Sequence, residues 1–259
     1  ELKWYFQPSP RDEFDWDGVN EPVLVDEVIG GNPVKAVIQA NRNGFLYALH
    51  RATGEFIYAR PYSRANWYEY DSDGIPVLTE DMLNPGDTVV YPGLFGGKNW
   101  APSAYSPRTH FIYIPDMERG TTFTRREQEY QPGLSFFAGN MKFDPDGRGF
   151  VRAMDVRTGE KVWEFETPGG PNWAGLLATG GGLVFGGGPD GHLRAFDDTT
   201  GEVLWDFDTT EANGGVTTGI LAPPTSFTLD GKQHIGLAIG GRDRSRDHST
   251  YVLFRLGED

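Results

Sequence analysis

The sequence contains no cysteine among its 259 residues. This absence excludes disulfide bonds, thiolate metal sites and haem attachment through a C-x-x-C-H motif. The sequence also lacks any apolar run near the roughly 20 residues that a membrane helix needs, so we expect no membrane span. Lys and Arg number only 23, against 37 Asp and Glu, which gives a net charge of −14. Because phosphate binding needs clustered Lys and Arg, this balance argues against nucleic acid as a partner.

Several catalytic signatures are missing as well. The glycine-rich stretch GGGLVFGGGPDG (180–191) has no Gly-Lys-Ser/Thr, so it does not predict a phosphate-binding loop. The five His residues are scattered without metal-ligand spacing, and no G-x-S-x-G elbow is present. The sequence therefore gives no support to a nucleotide loop, a histidine metal site or a serine hydrolase.

The sequence does contain a repeat. Its template is Ala-x-Asp/His-x-x-Thr-Gly-Glu-x-x-aromatic, and the three copies are residues 48–58, 153–163 and 195–205. The last two copies start at 153 and 195, a period of 42 residues. Short strands repeated at this period are typical of a β-propeller, whereas a β-sandwich needs no fixed period. We therefore predict an all-β propeller of about four to five four-stranded blades.

The wider spacing of the first two copies predicts a degenerate repeat between them, with SAYSPRTHFIYIP (103–115) as its trace. We expect one propeller segment over residues 1–259, with loop insertions near 63–92 and 118–133. ELKWYF (1–6) matches EVLWDF (202–207), which predicts an outer strand at residues 1–6 with Trp4 in the position of Trp163 and Trp205. The other strands of that blade would come from residues 216–256 or from another polypeptide.

The acidic stretch RDEFDWDGVN (11–20) places four carboxylates within six residues, with Phe14 and Trp16 between them. In an extended chain, Asp15 and Asp17 share one face at about 6.5–7 Å. Two carboxylates this close can bind one hard cation. The alternative is that these acids cap turns in a solvated loop.

Four stretches resemble, in order, the pyrroloquinoline quinone (PQQ) family of methanol and ethanol dehydrogenases. They are LKWYFQPSPRDEFDWDGVNEPVLVD (2–26), NRNGFLYALHRATGE (41–55), KNWAPSAYSP (98–107) and NWAGLLATGGGLVFGGGPDGHLRAFDDTTGEVLWDF (172–207). The resemblance covers nearly the whole chain and points to the C-terminal half of an eight-bladed enzyme. It implies PQQ and a calcium or lanthanide ion as cofactors, an alcohol substrate, a cytochrome c acceptor and a periplasmic location. The missing half of the propeller is expected from an N-terminal half or a second copy.

The resemblance also implies roles for five residues of this sequence. Asp15 corresponds to the catalytic base, which lies at the metal ion, and Asp17 to a second carboxylate found in lanthanide-dependent members. Arg42 corresponds to the residue that donates hydrogen bonds to the quinone oxygens. Asn99 corresponds to a side chain that binds the cofactor, and Trp173 to one in its surroundings.

The sequence departs from the family in three places. Asn41 stands where the family usually has Asp, so no ion pair with the preceding residue is expected to orient Arg42. The stretch GGRDRSRDHS (240–249) replaces an aromatic-rich segment, and the family's remaining metal ligands and the Trp beneath its quinone have no counterpart here. We therefore expect the isolated chain to be a poor dehydrogenase.

Two alternatives stay open at this level. A small-propeller glycoside hydrolase would place paired carboxylates roughly 5–9.5 Å apart across a sugar groove, on separate strands. A non-catalytic propeller would use the same scaffold to bind a partner protein.

Overall fold

A computed structural model describes residues 1–83, 86, 88–137, 139–240 and 249–255. Within these ranges the chain forms twenty strands and one 3₁₀ turn, Glu80–Leu83, and no helix there has the length and apolarity to cross a membrane. In chain order the strands are β1 (Val23–Ile29), β2 (Asn32–Ala40), β3 (Phe45–His50), β4 (Phe56–Pro61), β5 (Tyr68–Tyr70), β6 (Pro76–Leu78), β7 (Val89–Val90), β8 (Ala104–Ser106), β9 (Phe111–Glu118), β10 (Thr121–Arg125), β11 (Gly139–Phe143), β12 (Arg148–Asp155), β13 (Lys161–Thr167), β14 (Leu176–Ala178), β15 (Leu183–Gly187), β16 (His192–Asp197), β17 (Val203–Asp208), β18 (Thr225–Leu229), β19 (Lys232–Gly240) and β20 (Ser249–Arg255).

Most of the strands form antiparallel blades, in which neighbours follow one another along the chain except where β9 lies beside β12. Three blades have four strands, in the orders β1-β2-β3-β4, β8-β9-β12-β13 and β14-β15-β16-β17, and one has three, β18-β19-β20. The predicted all-β propeller segment is confirmed. Strands β1 and β20 lie at sheet edges, and no ladder joins them among the described residues, so the ring is open.

The two segments predicted as insertions meet beside the first two blades. Strand β7, from the first segment, pairs with β10, from the second, and β10 pairs with β11. The degenerate repeat predicted at 103–115 is wrong. Those residues contribute β8 and part of β9 to the blade that also contains the second repeat copy, on β12 and β13. The β10–β11 hairpin is inserted into that blade between β9 and β12.

An aromatic ring covers the Thr-Gly turn of the neighbouring repeat. Gly54 has a φ of +76°, and a Cβ atom there would lie 2.7 Å from the ring of Trp4. The indole nitrogen of Trp4 donates a hydrogen bond to the carbonyl of Arg51 at 3.1 Å. Trp163 covers Gly201 in the same way, with a Cβ distance of 2.6 Å. Trp4 therefore occupies the position predicted for it.

The strand predicted at residues 1–6 is wrong, since these residues have no strand structure. The segment is held by side chains, with Trp4 on the Gly54 turn and Phe6 at 5.7 Å from the ring of Tyr47. Strands β18–β20 lie in the range 216–256, but none of them pairs with residues 1–22 in the described part of the chain. Residues 241–248, most of the unusual stretch 240–249, lie outside the described residues.

Candidate functional site

The acidic segment, residues 11–20, is anchored by its two aromatic rings. Phe14 and Trp16 are each 2% exposed, and their ring centroids lie 4.6 Å apart. The alternating side chains point the other way, so those of Asp15 and Asp17 are 64% and 70% exposed. The rings hold a loop in place whose carboxylates are presented outwards.

Asp15 has two properties that suit a base. Its backbone φ is +65°, a left-handed conformation that few residues with a side chain adopt, although Asp is among the more tolerant ones. Partial burial raises the pKa of its carboxyl and the charge of Asp17 adds to this, while Arg42 opposes it. A raised pKa makes the ionised carboxylate a stronger proton acceptor.

Arg42, just after β2, joins the two carboxylates. Its side chain is 7% exposed, its Nη1 donates to Oδ1 of Asp17 at 2.8 Å, and its Nη2 lies 3.5 Å from Oδ2 of Asp15. Nη2 also donates to the carbonyl of Leu94 at 2.6 Å. The buried Nε has no hydrogen-bond partner among the described residues. A guanidinium with an unused buried donor can still bind an oxygen acceptor.

The residue that orients Arg42 comes from the acidic segment. Asn41 instead donates to Oε1 of Gln39 at 3.3 Å and accepts from the backbone of Asn43 at 3.2 Å. Asp17 therefore supplies the ion pair that the family's Asp would have supplied at position 41. Sequence reasoning named both residues without predicting that they pair.

A glycine-rich loop, YPGLFGGKNW (91–100), lies against both the acidic segment and Arg42. Trp16 donates from its indole nitrogen to the carbonyl of Gly93 at 3.1 Å, and Gly97 donates its amide to the carbonyl of Arg42 at 2.9 Å. A Cβ atom on Gly96 would lie 2.7 Å from that same carbonyl oxygen. Sequence reasoning missed this contact surface. The three closely spaced glycines before Lys-Asn-Trp were the available signal.

The two remaining candidates meet on the 91–100 loop, at Phe95. Asn99 donates to the carbonyl of Phe95 at 3.0 Å and accepts from the amide of Trp100 at 2.9 Å. The ring of Trp173 meets that of Phe95 edge-on at 5.2 Å between centroids. The Asn99 side chain is therefore engaged within its own loop and retains one N–H donor for another group.

An open cleft of about 1070 Å³ gives access to Asp15. Its walls include the apolar side chains of Phe14, Leu94, Phe123 and Phe137. At its rim, Arg125 of β10 forms an ion pair with Glu13. A small organic molecule that enters this cleft meets the Asp15 carboxylate against an apolar wall.

The described residues contain no group of three or more His, Cys, Asp or Glu side chains that could hold a metal ion. Asp15 and Asp17 can supply two carboxylates, and calcium takes six to eight oxygen ligands. These two residues fit part of a hard-cation site and do not complete one.

Comparison with known proteins identifies the relatives of this chain. Residues 1–64 match a family model described as the glucose/ethanol/alcohol dehydrogenase β-propeller domain, and residues 145–233 match one described as outer membrane protein assembly factor BamB. The quinoprotein alcohol dehydrogenase PedH of Pseudomonas putida is 36% identical over 253 residues, which cover 92% of this chain and 41% of that protein. The chain belongs to the quinoprotein alcohol dehydrogenase family.

Solved structures of quinoprotein dehydrogenases agree with this assignment. The quinohemoprotein alcohol dehydrogenase of Comamonas testosteroni is 27% identical with a TM-score of 0.81, over 98% of this chain and 40% of that one. A europium-containing methanol dehydrogenase is 30% identical with a TM-score of 0.79, over 91% of this chain and 42% of that one. The chain thus spans about two fifths of these quinoproteins. The first match, residues 1–64, contains Asp15, Asp17 and Arg42.

Proposed function

We propose that this chain carries the catalytic-base part of a PQQ-dependent enzyme that oxidises alcohols to aldehydes. The observation that supports it best is the group formed by Asp15, Asp17 and Arg42. There, a buried guanidinium holds two outward-facing carboxylates and keeps its Nε donor unused. This arrangement presents a base and a fixed positive charge beside one cleft.

The unused donor of Arg42 fits an oxygen of the quinone. When bound, PQQ supplies the two-electron acceptor that alcohol oxidation needs and that protein side chains lack. Arg42 stabilises negative charge on the bound oxygen, and it does so without reorganisation because Asp17 and the Leu94 carbonyl already fix it. We assign Asn99 and Trp173 to the same cofactor surroundings, through their shared contact at Phe95.

Asp15 accepts the proton of the alcohol hydroxyl in this proposal. Its carboxylate is exposed to the cleft, where the hydroxyl of an alcohol can reach it within hydrogen-bond distance. The substrate's carbon chain lies along the more accessible apolar side chains of the cleft, Phe123 and Phe137, with the hydroxyl at the carboxylate.

Asp15 and Asp17 also bind a hard cation, calcium or a lanthanide. The europium in a methanol dehydrogenase of the family supports a lanthanide, since two adjacent carboxylates suit a trivalent ion. The described residues form no complete metal site, so we infer that the polypeptide completing the ring supplies the remaining ligands. The cation keeps the carboxylates ionised, as a base requires.

The proposal extends to the setting of the enzyme. The relatives are bacterial quinoproteins, and we infer a periplasmic location and a cytochrome c as electron acceptor. We infer a single propeller segment over residues 1–259, with insertions near 63–92 and 118–133. The rest of the ring is supplied by a further stretch of polypeptide or a second copy.

PQQ binding tests the proposal directly. The isolated chain with added PQQ and calcium or a lanthanide should oxidise ethanol near background in a dye-linked assay, because only part of the metal site lies here. It should still bind PQQ, and Arg42→Met should weaken that binding at least roughly tenfold, through loss of a charge-assisted hydrogen bond. Arg108→Met is the control, since Arg108 pairs with Asp198 on a different blade.

The outcomes separate the candidate functions. A wild-type chain that does not bind PQQ, or an Arg42→Met variant that binds it as tightly, contradicts the proposal and favours a non-catalytic propeller. A glycoside hydrolase is disfavoured already, because Asp15 and Asp17 lie in one segment and share one guanidinium instead of facing each other across a groove.

A further inference from the structure

A second buried cation lies beneath the proposed site. The side chain of Lys98 is 1% exposed, and its Nζ donates to Oε2 of Glu21 at 2.8 Å and to the carbonyl of Asn99 at 3.3 Å. The other carboxylate oxygen of Glu21 accepts the backbone amide of Ser103 at 2.7 Å. One ion pair thus ties the chain just after the acidic segment to both ends of a short stretch, residues 98–103.

This ion pair repeats the contact that Arg42 makes. Arg42 links Asp17 to the carbonyl of Leu94, and four residues further along each segment Lys98 links Glu21 to its own loop. Both cations therefore connect residues 17–21 to the 91–100 loop. The loop contacts Arg42 twice, since Gly97 donates its amide to the Arg42 carbonyl and the Leu94 carbonyl accepts from the guanidinium.

The pair is a costly way to hold a loop if stability alone is required. Burial lowers the pKa of Lys98, and Glu21 opposes that effect. Lys98 is buried while the Glu21 side chain is 36% exposed, so an apolar residue at position 98 would avoid the cost of desolvating an ammonium. What the ion pair adds is directional bonds that fix register. The amide of Asn20, which donates to the carbonyl of Asn99 at 3.2 Å, adds a further directional bond at the same place.

We propose that Lys98 and Glu21 are positioning residues of the active site, which set the register of the 91–100 loop against the acidic segment. Through Leu94 and Gly97, this register places the Arg42 guanidinium between Asp15 and Asp17. The contacts described above give the geometry of this positioning. Its effect on cation and cofactor binding rests on the proposed function.

The test compares Lys98→Met, Glu21→Gln and the double variant with the wild-type chain. Terbium titration, followed by its sensitised luminescence, measures the affinity of the Asp15–Asp17 pair, and chemical denaturation measures stability. Glu21→Gln leaves the buried Lys98 ammonium without its counter-charge, and Lys98→Met leaves the partly exposed Glu21 carboxylate without its cation. Each single variant should therefore lose stability, Glu21→Gln the more, and roughly tenfold or more in terbium affinity. The double variant should regain most of the stability while its terbium affinity stays low. Asp198→Asn removes the buried carboxylate of an ion pair on another blade and should lower stability alone.

Two results would overturn the inference. One is a double variant in which terbium affinity recovers together with stability, and the other is a single variant that is destabilised but binds terbium like the wild type. If the wild-type chain does not bind terbium at all, the proposed cation site is wrong. The positioning role is then tested by the ¹⁵N resonance of Arg42 Nε, which is assigned by its loss in Arg42→Lys. A shift of that resonance in the double variant but not in Asp198→Asn upholds it, and an unchanged resonance refutes it.

Discussion

At the scale of single residues, neighbours in sequence serve opposite purposes in the acidic segment. Phe14 and Trp16 are buried, and Asp15 and Asp17 between and after them are exposed. The rings supply the free energy that holds the segment, so the carboxylates can remain solvated until a ligand arrives. Local alternation thus anchors the segment and exposes its carboxylates without a secondary-structure element.

Asp17→Ala should weaken lanthanide binding by roughly tenfold or more, since one of two anionic ligands is lost. The loss should be larger for a lanthanide than for calcium, because the trivalent ion interacts more strongly with each carboxylate. Calorimetric titration with each ion, with and without PQQ, measures it. Asp26→Ala, which removes another exposed Asp paired with an Arg, is the control. Unchanged lanthanide affinity in Asp17→Ala would mean that the two carboxylates do not share an ion.

Asp116 predicts a pH dependence of stability. It is fully buried in β9, it accepts from Arg152 at 2.5 Å, and burial raises its pKa to about 7. Between the usual pKa near 4 and about 7, the folded chain holds a proton that the unfolded chain releases, so the contribution of Asp116 to the free energy of unfolding falls as pH rises. Asp116→Asn removes this pH-dependent contribution. The free energy of unfolding of the variant should therefore rise relative to that of the wild type between pH 5 and pH 8. Denaturant unfolding at both pH values measures the difference, and a constant difference would show that Asp116 stays ionised throughout.

At the scale of elements, the repeated hairpins and the inserted segments behave differently. The Thr-Gly turns were predictable because each lies at the same place in the repeat template, and all three glycines adopt positive φ. The pairing of β7 with β10 was not predictable, since the two strands are short and belong to separate insertions. Their register depends on contacts between distant segments, which a single sequence does not display.

Gly201→Ala should lower the free energy of unfolding by roughly 1–3 kcal/mol. The residue has a φ of +75°, and the added Cβ would lie 2.6 Å from the ring of Trp163, so strain and a clash act together. Gly180→Ala is the matched control, because a Cβ there meets no atom within 4 Å. Chemical denaturation measures both. Equal stability of the two variants would show that the ring moves aside freely.

At the scale of the whole molecule, the described blades follow one another without closing into a ring. The turn of the first blade is covered by Trp4, from residues 1–6, which form no strand. Trp4 and Phe6 pack on the first blade by side chains, and the outer face of that segment exposes Leu2 at 78% and Tyr5 at 83%. Tyr251 and Leu253 are exposed on β20, at the other end of the series. Both ends of the series of blades therefore present apolar side chains to solvent.

Deletion of residues 1–7 should lower the free energy of unfolding by roughly 2–4 kcal/mol, because the Trp4 and Phe6 contacts are lost. Tyr5→Ala, which changes an exposed ring in the same segment, should leave stability nearly unchanged. Denaturation and sizing of both variants separate two roles of the segment. A lower midpoint at unchanged mass means that it stabilises the first blade, a change of mass means that it also mediates assembly, and no change in either would show that it is a loose tail.

The sequence by itself determined the class of fold, the repeat and the residues of the candidate site, because periodicity, turn glycines and short motifs are local properties of the chain. Only the tertiary structure decided that Asp17, and not the residue beside Arg42, orients the guanidinium, and that the 91–100 loop connects Trp16, Arg42, Asn99 and Trp173. It also decided that residues 103–115 complete an existing blade and that residues 1–6 dock without forming a strand. These features depend on which distant segments pack together, and that outcome is set by long-range burial and hydrogen bonding, which leave no periodic signal in one sequence.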